Sequence, residues 1–222
     1  MIEKWTVIKP QGPSKGIVIT LPGRCGLGST FAKGYANTFI KAMVIGLTPR
    51  KLKWYPLPNG ANDQDAAVNG IEKSRRAIDK VVNKIENKFG FKRNKIALVG
   101  FSAGAVMAIQ VAAFSKNPFA AVVVHSGAIL EPELLPACKH KGMPFILSHN
   151  KDDDCFSWIE RYLPMKKALM KKNYRILKTF ERKTGNHCIW EQDIKHSALI
   201  LNKTLEENWF SRFRQYYIKD EI

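Results

Sequence analysis

The stretch KIALVGFSAGAVMAIQVAAF, residues 95–114, decides the fold. Its first part, Lys95–Val99, is apolar after the lysine, with no alternation of polar and apolar residues. A short apolar run of that kind predicts a strand buried on both faces, the signature of a parallel sheet. Its last part, Ala103–Phe114, is alanine-rich and predicts a buried helix. Between them stands Gly100-Phe101-Ser102-Ala103-Gly104, with no residue to spare on either side. Gly-x-Ser-x-Gly between a strand and a helix is the context of a nucleophile elbow. The bend is tight enough to require glycines around the serine, and it lifts the hydroxyl to the positive end of the helix dipole. The plainer alternative is a small-residue turn that lets a helix pack close to a strand.

Outward from this stretch, short apolar runs alternate with longer helical patterns. Gly16–Leu21 predicts a strand that ends at Pro22-Gly23. A helical face follows from Ser29, carrying Phe31, Tyr35, Phe39, Ile40 and Met43. Lys53–Leu57 reads as a strand weakened by Pro56 and Pro58. A long amphipathic helix runs from about Asp63 to Phe89. Strands are predicted at Ala120–Val124, Pro144–Leu147 and Arg175–Phe180, and helices at Trp158–Lys172 and Asp193–Leu205. The expected architecture is a three-layer α/β fold, with a mostly parallel sheet, helices on both faces and right-handed crossovers. Residues 1–222 are read as one domain, and no segment between strands has the length of a large lid.

Composition narrows the class. The chain has 222 residues, 45% hydrophobic and 25% charged, which excludes a disordered or fibrous protein. No apolar run approaches the ~18–20 residues of a membrane span, and the first ten residues hold no signal-peptide stretch. Cys25, Cys138, Cys155 and Cys188 form no CxxC pair and no zinc spacing. Reduced thiols, a cytoplasmic location, no metal and no cofactor are expected. The net charge is +17, concentrated before residue 100. Such an excess suits a polyanionic partner, such as phosphorylated lipid, another anionic surface or nucleic acid. A merely basic, soluble surface is the alternative.

A serine hydroxyl needs a base, and the base an orienting carboxylate; on this scaffold the chain order is Ser, acid, His. Asp152, Asp153 and Asp154 follow the strand PFIL, and His187 follows the strand RILKTF. Both loops leave carboxyl ends of strands, where the elbow also sits. A hard-cation site made from the three carboxylates is a competing reading. His125 reads as a satisfied histidine near a strand end, His149 as a brace of the acid loop, and His140 and His196 as surface residues. Cys155 and Cys188 adjoin the acid and the histidine, as reduced neighbours or, alternatively, as a disulfide. The aromatic tail, with Trp209, Phe210, Phe213, Tyr216 and Tyr217, reads as a helix capping a sheet edge, with a homodimer face or an interfacial membrane contact as alternatives.

From about Gly16 to Glu191 the chain resembles the phospholipase/carboxylesterase group of α/β-hydrolases, which includes the acyl-protein thioesterases. LPGRCG (residues 21–26) resembles the family's oxyanion loop, YPLP (55–58) its next strand end and GFSAG (100–104) its elbow. HNKDDDCF (149–156) resembles its acid loop and GNHCIWE (185–191) its histidine loop. Pro22 stands where the family usually has His, Asn150 where it has Gly, and Phe156-Ser157 where it has Val-Pro. The resemblance implies a serine esterase or thioesterase acting on a small-molecule acyl substrate. It also selects Asp153, four residues after His149, as the acid. Ser102, Asp153 and His187 become the expected triad. Backbone N–H groups of Ala103 and, in the Gly23–Arg24 turn, of Arg24 become the expected oxyanion hole. Gly23, Trp158 and Trp190 are further candidates for contact with substrate. A serine peptidase, a polysaccharide-ester hydrolase and a catalytically idle binding protein are the alternatives on the same fold.

Overall fold

The computed structural model describes residues 2–38, 40–56, 61–140 and 142–206, with residues 61–64 as backbone only. Phe39, Leu57, Pro58 and the aromatic tail from Trp209 to Tyr217 lie outside the described residues. Seven strands form one sheet: β1 (Ile2–Ile8), β2 (Ile17–Leu21), β3 (Met43–Pro49), β4 (Ile96–Phe101), β5 (Ala121–His125), β6 (Pro144–Asn150) and β7 (Arg175–Arg182). Their order is β1-β3-β2-β4-β5-β6-β7. Every pairing is parallel except that of β1 with β3. Helices α1 (Gly28–Ala36), α2 (Ala61–Phe89), α3 (Ala103–Phe114), α4 (Leu163–Lys171) and α5 (Glu191–Glu206) connect or follow the strands.

The apolar runs explain the layering. Successive side chains on a strand face opposite ways, so a strand covered on both faces is apolar at most positions. Ile17, Ile19, Leu21, Ile96, Leu98, Val122, Val124, Phe145 and Leu147 join the core shared with α2, α3 and α4. Their neighbours Val18, Ala97, Val99, Val123 and Ile146 join a second core with Ala32 and Tyr35 of α1 and with Ala198, Leu201 and Leu205 of α5. The expected three-layer α/β architecture is the observed one.

Three expectations need correction. Of the expected strand Lys53–Leu57, the described part, Lys53–Pro56, is not a strand: it bends, and Trp54 and Tyr55 are buried as plugs, with the Trp54 indole donating to the Pro22 carbonyl at 2.7 Å. The strand of that region is β3, which begins at Met43, a residue the helical period from Ser29 assigns to a helix. Helix α1 stops at Ala36, so Ile40 and Met43 are buried beyond it. Gly46 of β3 is crossed by Gly28 of α1 so closely that a methyl there would overlap the Gly28 carbonyl. Trp158–Lys172 is not one helix either. A wide turn over Trp158–Tyr162, with the Tyr162 amide bonding back five residues to Ser157 (3.1 Å), precedes α4. Strand β1, partly exposed and at the sheet's edge, escaped notice because Glu3 and Lys4 break its apolar pattern.

A buried polar chain crosses the second core. Ser148 Oγ lies 2.6 Å from His125 Nδ1, His125 Nε2 lies 2.6 Å from Tyr35 Oη, and Tyr35 Oη lies 2.8 Å from Ser197 Oγ. Ser197 donates to the Ile194 carbonyl at 3.0 Å. One direction of donation, Ser148 to His125 to Tyr35 to Ser197 to Ile194, gives every proton an acceptor, and it requires a neutral ring protonated at Nε2. Burial lowers the His125 pKa from 6.5 to about 3. Below pH 6.5 the unfolded ring therefore takes a proton that the folded ring refuses, so its share of stability, full above pH 6.5, is lost as pH falls toward 3. The expected loss is about 1.4 kcal/mol per pH unit. Urea unfolding of His125→Gln at several pH values should show a lower stability and a pH slope shallower by about one proton than that of the parent.

Candidate active site

Ser102 caps α3 at φ 53°, ψ −123°, a conformation that side-chain-bearing residues rarely adopt. The surroundings hold it there. Its amide donates to the His125 carbonyl at 3.0 Å, beside the pairing of β4 with β5. A methyl on Gly104 would overlap the carbonyls of Leu21 and Pro22, and one on Gly100 would run into the backbone of Gly104 and Ala105. The elbow thus closes only around glycines, and α3 presses directly on the end of β2.

Three loops from three strand ends meet at this hydroxyl. Ser102 Oγ lies 2.8 Å from His187 Nε2, and His187 Nδ1 lies 2.9 and 2.8 Å from Asp153 Oδ1 and Oδ2. Nδ1–H donating to the carboxylate leaves the Nε2 lone pair for the serine proton, the tautomer a base needs. The carboxylate is buried and also accepts the amides of Cys155 (2.9 Å) and Phe156 (2.7 Å). Burial works to raise the Asp153 pKa, but its bonds to His187 and to the Phe156 amide outweigh burial and hold it below the ordinary value. The Asp153 side chain is therefore ionised where the ring can use it.

The other two aspartates of the run turn elsewhere. Asp152 accepts the amides of Gly185 (3.1 Å) and Asn186 (2.8 Å) from the histidine loop. Asp154 is exposed. The three carboxylates therefore diverge and do not form the cluster that a hard cation would need. Asp153, Cys155 and His187 do bring ligand atoms within 4.8 Å of one another. A soft metal there would have to take the Asp153–His187 hydrogen bond apart, since both groups already spend their facing atoms on each other.

Side chains that sequence reasoning passed over tie the two loops together. Asn150 donates to the Asn186 carbonyl at 2.9 Å and accepts the Trp190 indole at 3.2 Å. At Gly185, φ 143°, a methyl would come within 2.7 Å of Asn150 and of the Trp190 indole nitrogen. Phe101 stacks on the His187 ring at 5.1 Å, and Phe156 meets it edge-on at 5.8 Å. Phe101 carried one usable signal, its place inside the elbow. Asp152 reads as a candidate acid and Asn150 as a departure from the family, but neither carries a local sign of its staple, because their partners lie more than thirty residues away.

His149 is buried, donates through Nε2 to the Phe156 carbonyl (2.8 Å) and stacks on Tyr162 at 4.6 Å. Burial lowers its pKa, which keeps it neutral. Trp158 stacks on the other aromatic of that pile, Tyr162, at 4.6 Å, and Trp190 lies under the Arg182 guanidinium at 5.4 Å. Both tryptophans thus have packing work to do. Gly23 sits beside Ser102: a Cβ built on it would be 3.3 Å from that of the serine. The turn after it is held by Gly26 N–H to the Gly23 carbonyl (3.1 Å) and Cys25 N–H to the Leu52 carbonyl (2.9 Å). The Arg24 side chain leaves this turn to donate to the Tyr55 carbonyl at 3.1 Å. Cys155 and Cys188 are both free.

The sequence profile of the phospholipase/carboxylesterase family matches residues 41–205. The chain belongs to this family. Solved structures repeat its fold. The esterase PE8 is 21% identical, with 90% of this chain and 97% of that one covered at a TM-score of 0.78. The Bacillus cereus carboxylesterase is 17% identical over 90% and 94%, at 0.76. The Zea mays acyl-protein thioesterase 2 is 17% identical over 91% and 99%, at 0.74. Family membership makes this an α/β-hydrolase of the esterase and thioesterase kind, and among the described residues no helix is long and apolar enough to cross a membrane.

For this family member, Asp152 has a separable part. Asp152→Ala removes two charge-assisted bonds from the histidine loop and leaves Asp153 and its amides untouched. Amide exchange over residues 185–188 should accelerate, and kcat on a soluble ester should fall roughly tenfold with KM retained, the cost of about 1.4 kcal/mol in loop ordering.

Proposed function

We propose that this protein is a serine carboxylesterase or thioesterase that cleaves small or single-chain acyl substrates through an acyl-enzyme. The observation that carries the reading is the unbroken hydrogen-bonded line from Ser102 Oγ through His187 to the buried Asp153. Ser102 attacks the acyl carbonyl while its proton passes to His187 Nε2. Asp153 keeps the ring oriented and stabilises the imidazolium. Two N–H groups take the charge on the carbonyl oxygen: Ala103, in the first turn of α3 where amides lack helical partners, and Arg24 in the turn beside Gly23. The alcohol or thiol leaves with the proton from His187. Water then loses a proton to the same nitrogen and attacks the ester carbonyl, and Ser102 recovers its hydrogen.

Several features support the narrower parts of this reading. Without a large insertion over the elbow, an open site suits short or single acyl chains better than bulky triglycerides. A net charge of +17 suits anionic substrates, which would be drawn in at low ionic strength. Four free thiols suit the reducing cytoplasm. The whole chain acts as one domain in this account, with no metal or cofactor.

A fluorophosphonate probe should label the parent protein, and neither Ser102→Ala nor His187→Ala. Against p-nitrophenyl esters and acyl thioesters, Asp153→Asn should lower kcat by about 10⁴, whereas Asp152→Asn and Asp154→Asn should stay far closer to the parent. Turnover of amide substrates in place of esters would replace the esterase with a peptidase, and undiminished labelling of Ser102→Ala would overturn the assignment of the nucleophile.

A further inference from the structure

Beside the acid loop, the surface carries an apolar stripe that none of the described residues covers. Ile159 is 73% exposed, Leu163 38% and Met170 60%, all large side chains left in water. Leu163 and Met170 are seven residues apart on α4 and share a face, and Ile159 precedes Leu163 by one turn. With Pro164, Lys166 and Lys167 they line one shallow groove. Isolated exposed apolar residues are ordinary, but a contiguous set is not.

The exposed charges around the stripe are mostly positive. Arg161, Lys167 and Lys171 are exposed, and Lys167 and Lys171 lie on the same helical face as Leu163 and Met170. Lys166 is the exception, since it is paired with Glu181 at 2.6 Å. The one exposed acid within the segment is Glu160. The stripe starts six residues after Asp153, at the rim where the active-site loops gather. Its first turn is anchored there by Trp158 and Tyr162, which pile on the buried His149. A second copy of the chain would bring Arg161, Lys167 and Lys171 against themselves or their like, a repulsive contact. An anionic lipid surface offers the complement of both properties, acyl chains for the stripe and headgroup phosphates for the cations.

We propose that Ile159, Leu163 and Met170, flanked by Arg161, Lys167 and Lys171, dock this protein on anionic membrane surfaces, with the active-site rim at one end of the contact. The docking rests on the surface alone. Its meaning for catalysis, access to acyl chains held in a bilayer, rests on the esterase reading above.

The test is co-sedimentation of the full chain with vesicles of phosphatidylcholine and phosphatidylserine, against pure phosphatidylcholine vesicles. The parent should bind the mixed vesicles, more weakly as salt rises. Ile159→Glu with Met170→Glu should cut binding at least tenfold, because two apolar anchors are lost. Lys167→Glu should cut it about fivefold or more, one surface cation being removed and an anion added. Lys84→Glu, an exposed change on α2, should cut it far less. Turnover of a water-soluble p-nitrophenyl ester should be the same for all these variants, which separates failure of docking from failure of the hydrolase. No binding of the parent to mixed vesicles would overturn the proposal. So would an equal loss from Lys84→Glu, full binding by the Ile159→Glu, Met170→Glu variant, or a dimer in sedimentation that this variant dissolves.

Discussion

The constraint on which the site depends is the contact at Gly104, where the first turn of α3 meets the carbonyls of Leu21 and Pro22 at the end of β2. No Cβ fits there. That proximity forces Ser102 into its φ 53° bend, since the chain must leave β4 and enter α3 within a single residue. It also brings the Gly23–Arg24 turn alongside the serine, because that turn continues directly from β2. Strain at Ser102, of order 1–3 kcal/mol, is therefore held by packing on both sides: α3 against the sheet, and the Ser102 amide on the His125 carbonyl. A serine on a softer loop would relax and lose its alignment with His187.

His125 serves that constraint twice. Its carbonyl receives the elbow, and its ring joins the buried chain that links β5 and β6 to α1 and α5. Burying four polar side chains in an apolar core is costly unless every proton finds an acceptor. Here the single direction of donation meets that condition and fixes how α1 and α5 lie on the sheet. The mirror of this arrangement lies on the other face, near the amino end of β4. Buried Arg93 is spent on Asp79, Glu86, Asn83 and Ser115 and stacks on Phe119 at 5.1 Å. That cation is structural, so not all of the basic excess is available to a partner.

What could be read from the sequence follows from which signals are local. Strands β2, β4, β5 and β6 sit between helices and are apolar at most of their buried positions, so composition alone reveals them. The elbow is local too, since its glycines and serine are neighbours. Strand β3 was obscured because Met43 also fits a helical period, and Lys53–Leu57 looked strand-like because Trp54 and Tyr55 are bulky plugs with no sheet to join. Strand β1 is half-covered and carries charges, so its alternation is weak. In the site, residue type and order point to Ser102, to the run Asp152–Asp154 and to His187, and the family resemblance picks Asp153 from that run, but the staples between loops are pairings of distant residues. No property of Asp152 considered alone separates a carboxylate that holds a backbone from one that holds an imidazole.

The substitution of Asn150 for the family's usual glycine shows how such pairings matter. An extra side chain at the end of β6 could be expected to crowd the acid loop. Instead its amide group reaches across to the histidine loop, giving a hydrogen to the Asn186 carbonyl and taking one from Trp190. Gly185 then has to stay bare, because the space a Cβ needs is filled by that same amide and indole. Trp190 in turn is held from its other face by Arg182, whose charge is balanced by buried Asp193 at the start of α5. The acid loop, the histidine loop and α5 are thus one connected piece, and the position of the His187 ring is set from both ends: by Asp153 at its nitrogen and by Asn150 and Asp152 through its backbone. A ring held this way keeps its 2.8 Å contact with Ser102 without needing a lid to press it into place.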